Sequence, residues 1–400
     1  MRKIDLTSFQ VATSGTARQI NRRIALNLLR RHQPLSRADL ARRSGLQRST
    51  VSAIVDQLIE EGWVNEGAIG HAPRGRRPRF LVLNTARLGI IGVELRPETT
   101  TVGLAGLDAR FVGQSAWATP RQPAAFVRRL AGTVEALRAA NPEIRCEGMG
   151  VSLPGRVDDR GRLVFAPNLG WRPVALRQML EEAINLPVTL ENAANACALA
   201  EVWFGRHPEH LRNLAAVTVS EGIGVGLLVN GQIAHGAGSM AGELGHVTLD
   251  EDGPPCRCGK RGCWERYASN SAAVQYYLGH DARPRRSGRQ AAGTPRFEDL
   301  IRLADAGDRR AIGALERMGH YLGVGLAAIA MALAPEVIAV VGEVTGAWDR
   351  VGSVVTDVVK RRTLGSTPTR IVPTDRASQP RLRGAVTLVI QQHFGAPNLA

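Results

Sequence analysis

Apolar residues along the first eighty positions recur first at helical spacing and then in alternation. Over residues 17–31, Ile20, Ile24, Leu28 and Leu29 share one face, which predicts an amphipathic helix ending before Pro34. Ser36 with Asp39 three positions on predicts a capping box opening a short second helix through Leu40 and Ala41. Gly45, in Ser44-Gly45-Leu46, supplies the positive φ that stops that helix. A third helix is predicted over residues 47–61, with Val51, Ile54, Val55 and Leu58 inward and Gly62 at its end. Residues 63–65 and 79–83 alternate as two strands around the loop 70–78. Helix, helix, turn, helix and hairpin make a winged helix-turn-helix.

From residue 88 onward, short strands alternate with helices. Strands are predicted at 88–93, 101–107 and 148–152, with a helix near 124–140. A second round begins with strands at 214–219 and 225–229 and ends with the apolar strand 337–342. Two such rounds imply an α/β protein of two lobes with a cleft between them. The arginine-rich stretch 282–295 has no apolar period and is read as a solvated loop. The expected organisation is residues 1–87 as the winged helix, 88–200 as the first lobe completed by a C-terminal helix at 384–400, and 201–383 as the second lobe.

Charge adds a partner to this picture. The chain of 400 residues carries 51 Lys+Arg against 36 Asp+Glu, a net +15, and residues 1–87 hold 16 of the basic and 6 of the acidic groups, or +10. A basic module of this shape points to DNA. Arg48, Ser49 and Thr50 at the start of the third helix would meet base edges and phosphates, and Arg42 and Arg43 at the turn would hold phosphates. Arg74, Arg76 and Arg77 in the loop resemble, with one arginine extra, the Arg-Gly-Arg-Pro hook that enters narrow minor grooves. The alternative is that these arginines are the solvated face of a protein-docking module. No run of eighteen apolar residues and no signal-peptide core occur, and the five cysteines are too clustered for a disulfide scaffold. A cytoplasmic protein without a membrane span is expected.

The cysteines instead suggest a metal. His246 is followed by Cys256-Arg257-Cys258-Gly259-Lys260-Arg261-Gly262-Cys263. One imidazole and three thiolates fill a tetrahedral zinc shell and leave no open position, so His246, Cys256, Cys258 and Cys263 predict a structural Zn2+. Cys146 and Cys197 lie in apolar stretches and read as packing residues.

Gly242-Glu243-Leu244-Gly245-His246, the knuckle and Trp264-Glu265 resemble the signature of the ROK family of sugar kinases and sugar-responsive repressors. Val151-Ser152-Leu153-Pro154-Gly155, Pro167-Asn168-Leu169-Gly170-Trp171, Glu191-Asn192 and Gly222-Ile223-Gly224-Val225-Gly226 match in the family's order. The preceding winged helix is similar to the family's xylose and N-acetylglucosamine repressor branch. The resemblance implies an actin/hexokinase-like two-lobed ROK domain with a sugar in the cleft, gripped by Asn168, Asn192, Glu243, His246 and Glu265. Carboxylates accept from vicinal hydroxyls, and a histidine bound to zinc through one nitrogen presents the other in a fixed tautomer.

Departures from the pattern argue against an active kinase. The kinases' glycine pair after the first strand is replaced in Gly92-Val93-Glu94-Leu95-Arg96-Pro97-Glu98, and near the C-terminus a second glycine pair reads Gly342-Glu343. The aspartate that accepts the sugar proton, expected after Glu191-Asn192, is Ala193. Gly222, Gly224 and Gly226 read as a tight hairpin. Together these features imply a transcriptional regulator, a repressor that acts on operator DNA as a homodimer or homotetramer and answers to a sugar or sugar phosphate. The alternatives are a DNA-binding ROK sugar kinase with an atypical ATP site, or a domain that answers to a protein partner.

Overall fold

The computed structural model describes residues 14–69, 79–208, 211–280, 294–365 and 369–395. The N-terminal module is built from α1 (Ser14–His32), β1 (Leu35–Ser36), α2 (Arg37–Ser44), α3 (Arg48–Glu60), β2 (Val64–Ile69) and β3 (Arg79–Leu83). Its three strands pair in the order β1-β3-β2, the wing of a winged helix. Ser36 caps α2 through the Asp39 amide while Asp39 bonds back to Ser36, completing the capping box, and Gly45 takes φ +73° at the turn. Val51, Ile54, Val55 and Leu58 are buried. In α1 the buried stripe is Ala25, Leu26 and Leu29, and Ile24 stays 36% exposed. Of the face predicted from spacing, Leu29 is fully buried and Leu28 half-buried, and the inward stripe is rotated away from Ile24, because α1 packs on both α2–α3 and the larger domain.

A five-stranded sheet follows, ordered β10-β7-β4-β5-β6. Its strands are β4 (Leu88–Leu95), β5 (Thr99–Gly106), β6 (Phe111–Ala118), β7 (Arg145–Leu153) and β10 (Val188–Asn192). A small hairpin of β8 (Arg156–Val157) and β9 (Leu163–Phe165) projects from its end, and α4 (Pro123–Ala139) and α5 (Leu176–Ile184) cover one face. The second sheet, β13-β12-β11-β14-β15, repeats this pattern of three antiparallel and two parallel strands. It comprises β11 (Leu214–Val219), β12 (Ile223–Val229), β13 (Gln232–Ile233), β14 (Val337–Gly342) and β15 (Arg370–Pro373). The helices α7 (Glu265–Ala268), α8 (Asn270–Tyr277), α9 (Phe297–Asp305), α10 (Arg309–Leu333) and α11 (Trp348–Arg362) build its outer core.

Two helices lie between the sheets: α6 (Ala193–Phe204), and α12 (Pro380–Phe394), which returns to the first sheet from the second. Both pack at backbone-contact distance, so glycines occupy the crossing points. A Cβ on Gly150 of β7 would lie 1.8 Å from the Ala385 carbonyl oxygen of α12, and one on Gly226 of β12 would lie 2.1 Å from the Ala194 oxygen of α6. The Gly222–Gly226 segment is thus the hairpin turn and strand on which α6 rests. Among the described residues no helix is long and apolar enough to cross a membrane. The stretch 282–295 falls almost wholly outside the described residues.

Candidate functional site: a cleft, a knuckle and an exposed basic helix start

The C-terminal ends of the strands in both sheets open onto one cleft. Asn168, from the loop after β9, and Asn192, at the end of β10, face Glu243, His246 and Glu265 from the other lobe, and all five line it. Asn192 also caps α6: its Oδ1 accepts from the Ala194 amide at 2.8 Å and its Nδ2 donates to the Gly155 carbonyl at 3.0 Å. Each of those groups keeps one bonding position for a ligand. Ala193 is the first residue of α6 and lines the same wall.

The knuckle adjoins this wall. One ligand atom each from His246, Cys256, Cys258 and Cys263 lie within 4.8 Å of one another. Cys256 Sγ stands 3.6 Å from His246 Nδ1, and Cys258 Sγ stands 3.6 Å from Cys263 Sγ. A tetrahedral ion with metal–sulfur bonds of about 2.3 Å has edges of about 3.8 Å, so these spacings fit zinc. His246 turns Nδ1 to the thiolates, while its Nε2 lies 3.9 Å from Glu243 Oε2 on the cleft side. Trp264, 2% exposed, ties the knuckle to α10 by donating its Nε1–H to the Tyr321 carbonyl. The strand-like bridges Thr248–Cys263 and Pro255–Arg261 close the loop, with Gly259 at φ +92° in its turn.

On the first module, Arg42, Arg43, Arg48 and Ser49 are exposed and Thr50 is half-buried at the N-terminal end of α3. Arg42 also pairs with Asp39 at 3.0 Å. Arg74, Arg76 and Arg77 lie outside the described residues. The opposite end of α3 is docked: Arg145 of β7 donates to the Glu61 carbonyl at 2.6 Å. Trp63 stacks on His393 and Phe394 of α12, with ring centroids 4.5 and 5.9 Å apart, and Asn27 of α1 donates to the Phe394 carbonyl. One buried cluster runs from Leu26, Leu58 and Trp63 into Leu88, Val386 and Phe394. The polar start of α3 therefore faces away from the larger domain, about 18 Å from the docked end.

A profile of the ROK family matches residues 90–392 and one of the MarR family matches residues 19–77. The xylose repressor of Bacillus subtilis (strain 168) is 32% identical over 331 residues, covering 82% of this chain and 83% of the relative. The chain belongs to the ROK family. A glucokinase of Streptomyces coelicolor (strain ATCC BAA-471 / A3(2) / M145) is 32% identical over 283 residues, covering 69% of this chain and 88% of its own. A ROK family transcriptional regulator homologous to the Escherichia coli MLC protein superposes with a TM-score of 0.80 over 94% of this chain and 98% of its own, at 23% identity. A ROK family glucokinase from Streptomyces griseus, solved with glucose and AMPPNP, gives 0.66 over 76% of this chain and 99% of its own, at 27% identity. The glucokinase match stops short of the whole chain, whereas the regulator match includes the winged helix.

Several residues of this ROK chain that shape the cleft were not singled out from sequence. Arg257, between two knuckle cysteines, crosses the cleft to the Asn168 Oδ1 at 3.1 Å. This bond takes the amide oxygen and turns the Asn168 NH2 toward a ligand. His235 holds Glu191 at 2.7 Å and is 50% exposed; that bond raises its pKa above the ordinary imidazole value. Arg96 binds Glu221 at 3.3 Å and Glu343 at 3.1 Å, while Arg381 stands 3.9 Å from Glu94 and 4.0 Å from Glu343. Their signal in the sequence was complementary charge, Arg96 beside Pro97 in one lobe and Glu343 after Gly342 in the other. Cys197 is fully buried, which pushes its thiol up to about 12, as a packing residue requires, whereas Cys146 is only half-buried.

Docking of the winged helix carries its own pH dependence. Burial, with Arg22 and Arg23 nearby, pulls His393 down to about 4. The docked ring is neutral, so acidification from its ordinary value of about 6.5 toward 4 favours the undocked chain, which binds the extra proton. The unfolding midpoint is expected to fall across that window, and less so in His393→Phe; differential scanning calorimetry between pH 7.5 and 4 measures both.

Proposed function

We propose that this chain is a sugar-responsive, DNA-binding transcriptional regulator that represses carbohydrate-utilisation genes until a sugar enters the cleft. In this reading residues 1–87 bind operator DNA, residues 88–200 with the C-terminal helix form the first lobe, and residues 201–383 form the second. Asn168, Asn192, Glu243, His246 and Glu265 hold the sugar hydroxyls, and Arg42, Arg43, Arg48, Ser49 and Thr50 meet the DNA, with Arg74, Arg76 and Arg77 in the wing. His246, Cys256, Cys258 and Cys263 hold a structural zinc ion, whose positive charge fixes the imidazole and braces Glu265. A homodimer placing two winged helices on a two-fold operator suits such a module.

The observation that carries this reading is α12. Its first turn presents Arg381 to the cleft, and its last turn stacks Phe394 and His393 on Trp63 of the winged helix. A 15-residue helix is about 22 Å long and packs as a rigid rod against β4 and β7. Ligand that changes how the lobes meet thus shifts the rod on which the DNA-binding module rests, and differential affinity for the two placements couples the sites. Catalysis is disfavoured because Ala193 has no group to take a proton from a sugar hydroxyl. The xylose repressor relative and the MarR-type match support regulation over phosphorylation.

A gel shift on a fragment of the chain's own promoter tests this. Arg48→Glu should weaken the complex about tenfold or more. Glu243→Ala should bind DNA as the parent does but no longer release it with sugar. Undiminished binding by Arg48→Glu, or no sugar that alters the complex, would reject the proposal.

A further inference from the structure

The inner end of the cleft decides what kind of sugar it accepts; this rests on the reading of the cleft as a sugar site. We infer that the effector is an uncharged, unphosphorylated sugar, and that the ion-pair cluster of Arg96, Glu221, Glu343, Arg381 and Glu94 excludes phosphate esters. A phosphate ester carries close to two negative charges near neutral pH. In the cluster three carboxylates outnumber two guanidiniums, and both guanidiniums are already engaged at 3.1–4.0 Å. Burial alone would lower the Arg96 pKa, but Glu343 and Glu221 more than offset it and hold it above its ordinary value. Burial would likewise raise Glu343, yet Arg96 and Arg381 hold its carboxyl below the usual range. Asn270 donates to the other oxygen of Glu343 at 3.0 Å and fixes it there.

The N-terminus of α6, which would otherwise favour an anion, is occupied as well. The Asn192 Oδ1 takes the Ala194 amide, and the Glu191 carboxylate takes the Asn192 amide at 2.7 Å and the Asn195 Nδ2 at 3.0 Å. A phosphate brought beside Ala193 therefore meets the Glu191 carboxylate and the Asn192 and Ala194 amides, which are already bonded. Ser152 Oγ, buried on β7 beside this wall, has no partner and suits a hydroxyl as either donor or acceptor. Such a site gains specificity from the charge it repels as well as from the hydroxyls it binds. Arg156, at the β8 turn against the Met240 sulfur, also lines this wall with its Nε buried and without a partner, whereas Arg257 is already bonded to Asn168.

Isothermal titration of the full chain with xylose, glucose and N-acetylglucosamine, and with glucose 6-phosphate and N-acetylglucosamine 6-phosphate, tests this. At least one free sugar should bind, and each ester should bind at least tenfold more weakly than its parent. Glu343→Gln, which keeps an acceptor for Asn270 while freeing Arg96, should narrow that gap at least threefold while the free sugar still binds. An ester binding as tightly as its parent or better would overturn the inference, and loss of that ester in Arg156→Ala would name Arg156 as the anion hook instead. Binding of neither sugars nor esters would remove the sugar reading itself and this inference with it.

Discussion

Replacing Cys263 by serine is expected to strip one zinc ion per chain, lower the unfolding midpoint by on the order of 10 °C and abolish any sugar-dependent shift. Cys263 is fully buried and lies between the bridge to Thr248 and the anchor Trp264, so its sulfur would join a bound ion to the core around Trp264. In the variant only Cys256, Cys258 and His246 remain of four side chains whose ligand atoms lie within 4.8 Å of one another, and a proposed ion would lose one of its four ligands. His246 and Glu265 line the cleft from this knuckle, so the loss reaches the ligand wall as well as stability. Metal content by inductively coupled plasma mass spectrometry, with thermal unfolding in the presence and absence of a strong chelator, measures both effects. Protein carefully purified with well under half an equivalent of zinc, yet unfolding at the same temperature after chelation, would show the cluster to be a set of free thiols.

Gly150→Ala is expected to destabilise the protein by about 3 kcal/mol or more, because its methyl group would collide with the backbone of α12. The added Cβ would stand 1.8 Å from the Ala385 oxygen and 2.8 Å from its carbonyl carbon, and neither can move without the whole helix. Gly92 on β4 meets the same helix through Val386 and the Leu382 oxygen, so α12 cannot slide aside along the sheet. Displacing it also disturbs the stack on Trp63, and sugar control of operator binding should fail together with stability. Gly132→Ala is the matched control: it sits inside α4 with nothing within 4 Å of the new carbon, and should stabilise by about 0.5–1 kcal/mol. Denaturant titration of both variants gives the comparison; equal stabilities would mean that α12 does not rest on β7.

Much of the organisation was legible because its causes are local. The Ser36–Asp39 capping box and Gly45 turn specify the helix-turn-helix within ten residues, and the bond pattern found is the one those residue types dictate. The inward face of α3 follows from a period of 3.6, and all four of its predicted core positions are buried. The rotation of α1 was hidden, since its partners include Phe394, whose place against it depends on the whole chain. Cys146 packs against the core of the first sheet as expected but is only half-buried, because an apolar neighbourhood in sequence does not reveal that the start of β7 lies near the surface.

By itself the sequence determined the winged helix, the four residues of the knuckle, the two rounds of α/β structure and the absence of an acidic group at Ala193, because each depends on residue type and short spacing. Tertiary structure alone decided that Arg257 orients Asn168, that Arg96, Glu221, Glu343, Arg381 and Glu94 form one ion-pair cluster at the cleft, and that α12 joins that cluster to Trp63. Those contacts join residues up to about three hundred positions apart, where side-chain charge and shape meet only after both sheets and the helices between them have packed; no spacing rule reaches so far.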